Sequence, residues 1–363
     1  MPNSSSTYHP WFLPATIVLS LGMALPGYAA SIVGVGTLPG AEACFPKAIS
    51  PDGLVAVGTC RDLSLQPVPM AFSWTRDRGL AHLSDVLPNQ ARPTSANAVS
   101  QAGDLIAGST ADMGRGSEGY VWVRDRPMTG LGNTEGSSIP SGVAAAGGVV
   151  VGTIDTPKGA RPFRWTTSDG LRLHPTLAAG LQAEVYGISG DGKIIVGRAW
   201  WTGSQRDRGW AFRWSEREGL INLEASRNDD YLVGSEATAV SADGQVVVGD
   251  NIFDGRRQAF RWTSGRGMVP IGILTGDKAS EAKAVTGNGA IVVGQSGSRP
   301  FWWDAEHGLR ELRTMLESDH GMASGLRGWQ LESVNGISAD GRVIVGQGRN
   351  PAGEAEGWII DLR

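Results

Sequence analysis

One glycine recurs seven times along this chain, at Gly58, Gly108, Gly152, Gly197, Gly249, Gly294 and Gly346, and five residues before each stands another. The leading glycines are Gly53, Gly103, Gly147, Gly192, Gly244, Gly289 and Gly341. In the clearest copy the pair frames Ala239-Val-Ser-Ala-Asp-Gly-Gln-Val-Val-Val-Gly249, followed by Gln258-Ala-Phe-Arg-Trp-Thr263 and Met268-Val-Pro-Ile-Gly-Ile-Leu274. Four short apolar segments separated by turn residues are the pattern of a small antiparallel sheet. Asp243-Gly244 marks a hairpin, because glycine takes the positive φ that the turn requires. Val246, Val247 and Val248 suit a strand covered on both faces. Phe260 and Trp262 point to one face and Arg261 to the other.

The aromatic segment follows each glycine pair as Phe72-Ser-Trp74, Tyr120-Val-Trp122, Phe163-Arg-Trp165, Phe212-Arg-Trp214, Phe260-Arg-Trp262 and Phe301-Trp-Trp303, decaying to Trp358-Ile-Ile360. The spacing runs from 44 residues (Gly108 to Gly152) to 52 (Gly197 to Gly249). Four strands at that period fit a propeller blade. A solenoid, the competing repeat architecture, carries atypical caps at both ends. Here the last copy stops at Arg363 without its fourth segment, while Ile32-Val-Gly-Val-Gly-Thr-Leu38 precedes the first copy as an orphan fourth strand. The two ends complete one blade and remove the exposed edges. The expected fold is all-β, a seven-bladed β-propeller over residues 31–363, with small Ala, Ser and Gly innermost and Phe and Trp towards the rim.

Residues 1–30 differ in kind. Trp11 to Leu25 is apolar and Pro26-Gly-Tyr-Ala-Ala30 is small-residue-rich, as at the cut of a secretory signal peptide after Ala29 or Ala30. Residues 1–10 contain no Lys or Arg, which leaves an uncleaved anchor or a misplaced start as alternatives. No later segment has the ~20 apolar residues of a membrane helix, so the exported chain is expected to be a secreted or periplasmic monomer. The net charge of −4 gives no reason to expect nucleic acid or an anionic membrane as partner.

The two cysteines, Cys44 and Cys60, flank the first hairpin. Reading Ser50 to Leu54 as a three-residue hairpin loop faces Ser50 with Leu54, then Ala48 with Ala56, Pro46 with Gly58 and Cys44 with Cys60. Opposed positions in an oxidising compartment predict a disulfide.

At Met70-Ala-Phe72, Trp210-Ala-Phe212 and Gln258-Ala-Phe260 the copies resemble the HAF repeat of exported bacterial proteins, named for His-Ala-Phe before the Trp strand; the leading His is absent throughout. The resemblance implies an extracytoplasmic, propeller-like repeat protein. It brings no established catalytic residues and no ligand.

Motifs for chemistry are weak. Asp52, Asp191, Asp243 and Asp340 stand in equivalent turns of separate blades, too far apart to converge on one calcium, and read as turn formers. Gly114-Arg-Gly-Ser-Glu-Gly119 lacks a strand–turn–helix context, and Ser280-Glu-Ala-Lys283 lacks its companion motifs. His82, His174, His307 and His320 are scattered. No catalytic residue, metal site or cofactor is assigned. Arg164, Arg213 and Arg261 recur between Phe and Trp, and are expected to stack on a neighbouring blade's Trp or pair with a carboxylate rather than bind an anion.

Connections between second and third strands, and between blades, vary in length and share one face, which we call the long-loop face. Binding on such scaffolds lives on variable loops. The candidate ligand contacts are Trp200, Trp201, Arg206 and Arg208 in one loop and Asp229, Asp230 and Tyr231 in another, with Trp200 and Trp201 either stacking on a ligand or packing over the blade below. The segment from Thr314 to Trp329 is the longest insertion and is expected to hold a short helix. The expected function is a non-enzymatic exported recognition or adhesion module for a glycan or protein. A propeller hydrolase or lyase acting on polysaccharide or lactone, and a structural cell-envelope protein, are the alternatives.

Overall fold

The computed structural model describes residues 29–61, 69–83, 93–112, 116–132, 136–174, 178–204, 209–224 and 234–363. The expected signal peptide, residues 1–30, thus lies almost wholly outside the described residues.

Seven four-stranded antiparallel meanders form a ring, a seven-bladed β-propeller. Blade five, built from the unit that opened the sequence argument, runs Glu236–Val240, Val247–Phe253, Arg256–Thr263 and Gly267–Gly272 from the axis outward. Blade seven has only three strands of its own, Gln330–Ile337, Val343–Arg349 and Ala355–Asp361. Its outer strand is Ser31–Gly34, which pairs Ser31 with Asp361, Ile32 with Ile360, Val33 with Ile359 and Gly34 with Trp358. The Val35 N–H extends the ladder to the Gly357 carbonyl at 3.0 Å. Val35 and Leu38 then enter one apolar cluster with Cys44, Phe72, Val345 and Ile359, so the first and last blades share a core.

The recurrent glycine has a steric cause that the sequence pattern alone does not disclose. Each innermost strand carries a bulge, a single extra residue, at Lys47, Asn97, Ser141, Tyr186, Thr238, Lys283 and Asn335 in blades one to seven. Two residues before each bulge, a carbonyl is driven over the second strand at its glycine. A Cβ at Gly58 would lie 2.1 Å from the Phe45 oxygen, at Gly197 1.9 Å from Glu184 and at Gly249 1.8 Å from Glu236. Gly108, Gly152, Gly294 and Gly346 meet the same obstacle. On the other side the glycine pairs with the third strand's aromatic residue, Gly58 with Phe72, Gly152 with Phe163 and Gly249 with Phe260. Each of these rings is fully buried. Glycine and aromatic residue are therefore one device, a bare backbone position roofed by a neighbour's ring.

Blades are tied together near the axis at two levels. Bulge side chains reach the next blade: Asn97 Nδ2 donates to the Pro140 carbonyl at 3.0 Å, Ser141 Oγ to Val185 at 2.6 Å, Thr238 Oγ1 to Ala282 at 2.8 Å and Asn335 Nδ2 to Pro46 at 2.7 Å. The last of these closes the ring from blade seven to blade one. At the other level the first residues of the inner turns link backbone to backbone: Gln101 to Ala145, Gly190 to Ala242, Ala242 to Gly287, Gly287 to Ala339, and Ala339 to Pro51, at 2.9–3.0 Å. Pro51 has no N–H to pass the chain on to Gln101. Such close backbones explain the small residues of these turns.

The turn aspartates are turn formers, as expected. Asp243 Oδ1 accepts from the Ser241 hydroxyl and the Gln245 N–H, and the Ser241 oxygen accepts the buried Val246 N–H at 2.9 Å.

The disulfide Cys44–Cys60 is formed, with Cα atoms 3.8 Å apart and both residues buried. The pairing that led to it needs one correction. Ser50 donates its N–H to Val55, not to Leu54, so the loop holds four residues and Ala48 pairs with Val57. The bulge at Lys47 then absorbs the extra residue, restoring Pro46 opposite Gly58 and Cys44 opposite Cys60.

Two expectations for the long-loop face also change. In blades three, five and six the length between second and third strands is mostly strand: Thr156 and Gly159, Phe253 and Arg256, and Ser296 and Arg299 close tight hairpins. Asp254 and Gly255 both take positive φ, as the two-residue hairpin requires. In blade four the second strand continues to Trp201 instead of ending before a loop. The insertion between blades six and seven does hold a helix, Leu312–His320, whose Leu312, Met315 and Leu316 are buried in a cluster with Trp302 and Trp358.

Candidate functional site

The strand extension separates the two tryptophans. Adjacent residues on a strand point to opposite faces; Trp200 is 6% exposed and Trp201 50%. Trp201 lies 6.2 Å, ring to ring, from the buried Trp210 and is the member of the pair open to a ligand. Arg206, Arg208, Asp229, Asp230 and Tyr231 lie outside the described residues.

A cavity of about 1670 Å³ lies on the opposite, short-turn face, across the end of blade four between blades three and five. Its origin can be followed from the three central arginines. In blades three, four and five the third strand carries an arginine between Phe and Trp. In blade four Arg213 is 8% exposed; its Nε donates to the Gly244 carbonyl of the next blade at 3.3 Å and its Nη1 pairs with Glu218. In blade five Arg261 Nε donates to the equivalent Gly289 carbonyl at 3.2 Å, and its Cζ lies 5.9 Å from the Trp303 ring centre. Both follow the expected structural role.

Arg164 of blade three does not. It is exposed and makes no hydrogen bond or ion pair among the described residues. The difference lies in the following turn. Blade four reads Trp214-Ser-Glu-Arg-Glu218, whereas blade three reads Trp165-Thr-Thr-Ser-Asp169, with the acid one methylene shorter. Asp169 is held by the Thr166 and Ser168 hydroxyls at 3.0 and 3.2 Å, and Arg172 stands 3.6 Å away. These hydroxyls lower the Asp169 pKa. The Arg164 guanidinium is left facing the cavity.

Behind it His174 is 7% exposed and meets Trp214 edge-on, ring centres 3.9 Å apart. Burial, and then the charge of Arg164, lower the His174 pKa, so the imidazole is neutral at pH 7. Trp214 and Trp262, both partly exposed, line the cavity with Gln245 and the hydroxyls of Ser215 and Ser264. The site can thus offer the Arg164 guanidinium and the exposed Arg217, aromatic surface, and a mixture of hydrogen-bond donors and acceptors. Sequence reading singled out Arg164 and His174 but not their meeting. The available signal was the change from Glu218 to Asp169 at one repeat position.

The axial channel has a different character. Glu184, Glu236 and Glu281 occupy equivalent positions in blades four to six, one rung above the bulges. Glu236 pairs with Arg198 at 2.6 Å, Glu281 with Lys283 at 3.1 Å, and Glu184 accepts from the Tyr186 hydroxyl at 2.7 Å. Asp250, opposite Glu236 and 2% exposed, pairs with Arg257. Burial raises its pKa to about 6; Arg257 opposes that shift, and the charges of Glu236 and Glu281 add to it. Among the described residues no group of three or more His, Cys, Asp and Glu is placed to hold a metal ion. No described helix is long and apolar enough to cross a membrane.

Comparison with known proteins adds little beyond the fold. No family model matches the chain, and no curated protein sequence matches it. Among solved structures it is similar to the crystal structure of TolB from Acinetobacter baumannii, at 12% identity and a TM-score of 0.47, over 85% of this chain and 80% of that one.

Proposed function

We propose that this chain is an exported, non-enzymatic recognition propeller whose ligand sits in the cavity on the short-turn face of blades three to five. The carrying observation is Arg164, a cation with no hydrogen bond or ion pair among the described residues, in a cavity beside partly exposed Trp214 and Trp262, while its two counterparts are held structurally by the next blade. Concave sites with aromatic walls and a few placed polar groups are the usual form of a ligand pocket. The acidic side chains of the channel argue against acid–base chemistry there, because each one named above already has a protein partner. Export is supported by the buried disulfide, which suits an oxidising compartment, by the signal-like residues 1–30, and by the resemblance to HAF repeats.

The test is retention of the protein on an array of cell-surface glycans, compared with Ser264→Trp, which places an indole in the cavity from an exposed turn. Loss of retention by the folded variant, with no release of new reducing ends, supports the proposal. Equal retention removes the cavity as the site, and product release would return the polysaccharide hydrolase or lyase reading.

A further inference from the structure

The chemistry of the cavity specifies its ligand further, an inference that rests on the cavity being the binding site. We infer that it takes a carboxylate-bearing sugar, a uronate unit of an acidic glycan, whose carboxylate pairs with the Arg164 guanidinium. Three observations carry this. First, a guanidinium presents a planar fork that matches a carboxylate in two parallel hydrogen bonds, and Arg164 is the one central arginine of the three whose fork is unused. Second, the cavity also carries acceptors. Glu216 lines it with no ion pair among the described residues, beside Glu218, which pairs with Arg213, and Asp169, which stands near Arg172. A run of acidic peptide side chains brings only further acceptors and offers those carboxylates no donor. A uronate brings one carboxylate together with several hydroxyls, which donate to them. Third, the partly exposed Trp214 and Trp262, with Gln245 and the exposed Ser264 hydroxyl, provide apolar surface for a sugar's C–H face and partners for its hydroxyls.

The neutral His174 contributes by what it lacks. Held uncharged by burial and by Arg164, it adds no further positive charge behind Arg164 at pH 7. The ion pairs Arg172–Asp169 and Lys193–Asp191, at 3.6 and 3.5 Å, compensate two of the flanking cations, and the charge of Arg217 acts on Glu218.

The experiment is calorimetric titration of the full exported chain at pH 7 with trigalacturonate, with galactotriose as neutral probe and a decapeptide of glutamate as acidic peptide. The expected result is binding of trigalacturonate that weakens with added salt and falls roughly tenfold or more in Arg164→Gln. Arg164→Lys should recover part of that loss, because it restores the charge but not the fork. Because Arg164 is exposed, unchanged thermal unfolding of both variants is expected and certifies their fold. Binding of the glutamate peptide in preference to the sugar overturns the inference, as does trigalacturonate binding that ignores Arg164→Gln. Galactotriose binding as tightly as trigalacturonate and lost in Ser264→Trp also overturns it, while leaving the recognition site itself intact. Failure of every probe together with equal array retention of Ser264→Trp removes both readings.

Discussion

Replacing Gly249 by alanine tests the physical account of the repeat at its most specific point. Gly249 has ordinary strand dihedrals, so nothing in its backbone requires glycine. The obstacle is steric: a Cβ there lies 1.8 Å from the Glu236 oxygen and 2.8 Å from that carbonyl carbon. A carbon–oxygen contact closer than about 3.3 Å is rare even in sheets, so the inner strand must retreat by about 1.5 Å. It is not free to do so. Thr238, the bulge residue two positions on, is bonded to the Ala282 carbonyl of blade six at 2.8 Å, and Glu236 itself holds Arg198 of blade four at 2.6 Å. Overpacking of this kind costs about 1–3 kcal/mol, and weakening the inter-blade bonds adds about 1 kcal/mol. A total near 3 kcal/mol corresponds to about 4 °C in Tm for a domain of this size. Gly265→Ala is the control: no atom lies within 4 Å of its added Cβ, and its effect should stay within about 0.5 kcal/mol. Urea unfolding followed by tryptophan fluorescence reads both. If Gly249→Ala is as stable as Gly265→Ala, the bulge-and-glycine explanation is wrong.

Three further outcomes follow from the same structure. Removing Ser31–Leu38 deprives blade seven of its outer strand and uncovers the apolar surface that buried Val35 and Leu38 cover, so unfolding of the whole ring should shift by at least about 3 kcal/mol; an unchanged midpoint contradicts closure. Opening Cys44–Cys60 by replacing both with serine frees a loop with a sequence separation of 16 and should cost about 3 kcal/mol, read as a lower urea midpoint than the oxidised parent. Burial opposes ionisation of Asp304, but hydrogen bonds from the His307 and Trp302 N–H groups and the His307 ring prevail and hold its pKa at about 2, below the ordinary 3.8. A depressed carboxylate stabilises above its unfolded pKa and loses that contribution as pH falls towards the folded value. Asp304→Asn should therefore be about 2 kcal/mol less stable than the parent at pH 7 and converge with it near pH 2; a constant gap across that window refutes the assignment.

The architecture was legible because the repeat encodes it redundantly. Seven glycine pairs, the Phe-x-Trp strand and the complementary ends each point to a closed ring. The bulge was not legible, because Lys47, Asn97, Ser141, Tyr186, Thr238, Lys283 and Asn335 share no side-chain chemistry; a bulge is a backbone event. Its signature was visible one strand away, in the glycine beneath the displaced carbonyl, and was read only as a strand end. That omission and the one-residue-short loop cancel at Cys44 and Cys60, which is why the disulfide register came out right. Trp200 and Trp201 show the opposite case. Period-two alternation separates them once the strand is known to reach Trp201, but the strand's length is set by pairing with Leu181–Ile188, which no local pattern reveals. The cavity was hidden for a third reason. It depends on one repeat position, where Asp169 replaces a glutamate and turns to neighbouring hydroxyls, and the loss of a partner for Arg164 exists only in three dimensions.

The central claim is that ligand binds on the short-turn face of blades three to five. Amide hydrogen exchange of the chain, free and saturated with the glycan that retains it best on the array, tests it most directly. The account predicts slowed exchange in the turns from Thr166 to Gly170 and from Ser215 to Gly219, and around Lys193 and Gln245. Protection confined to the long-loop face, around Trp201, would contradict it.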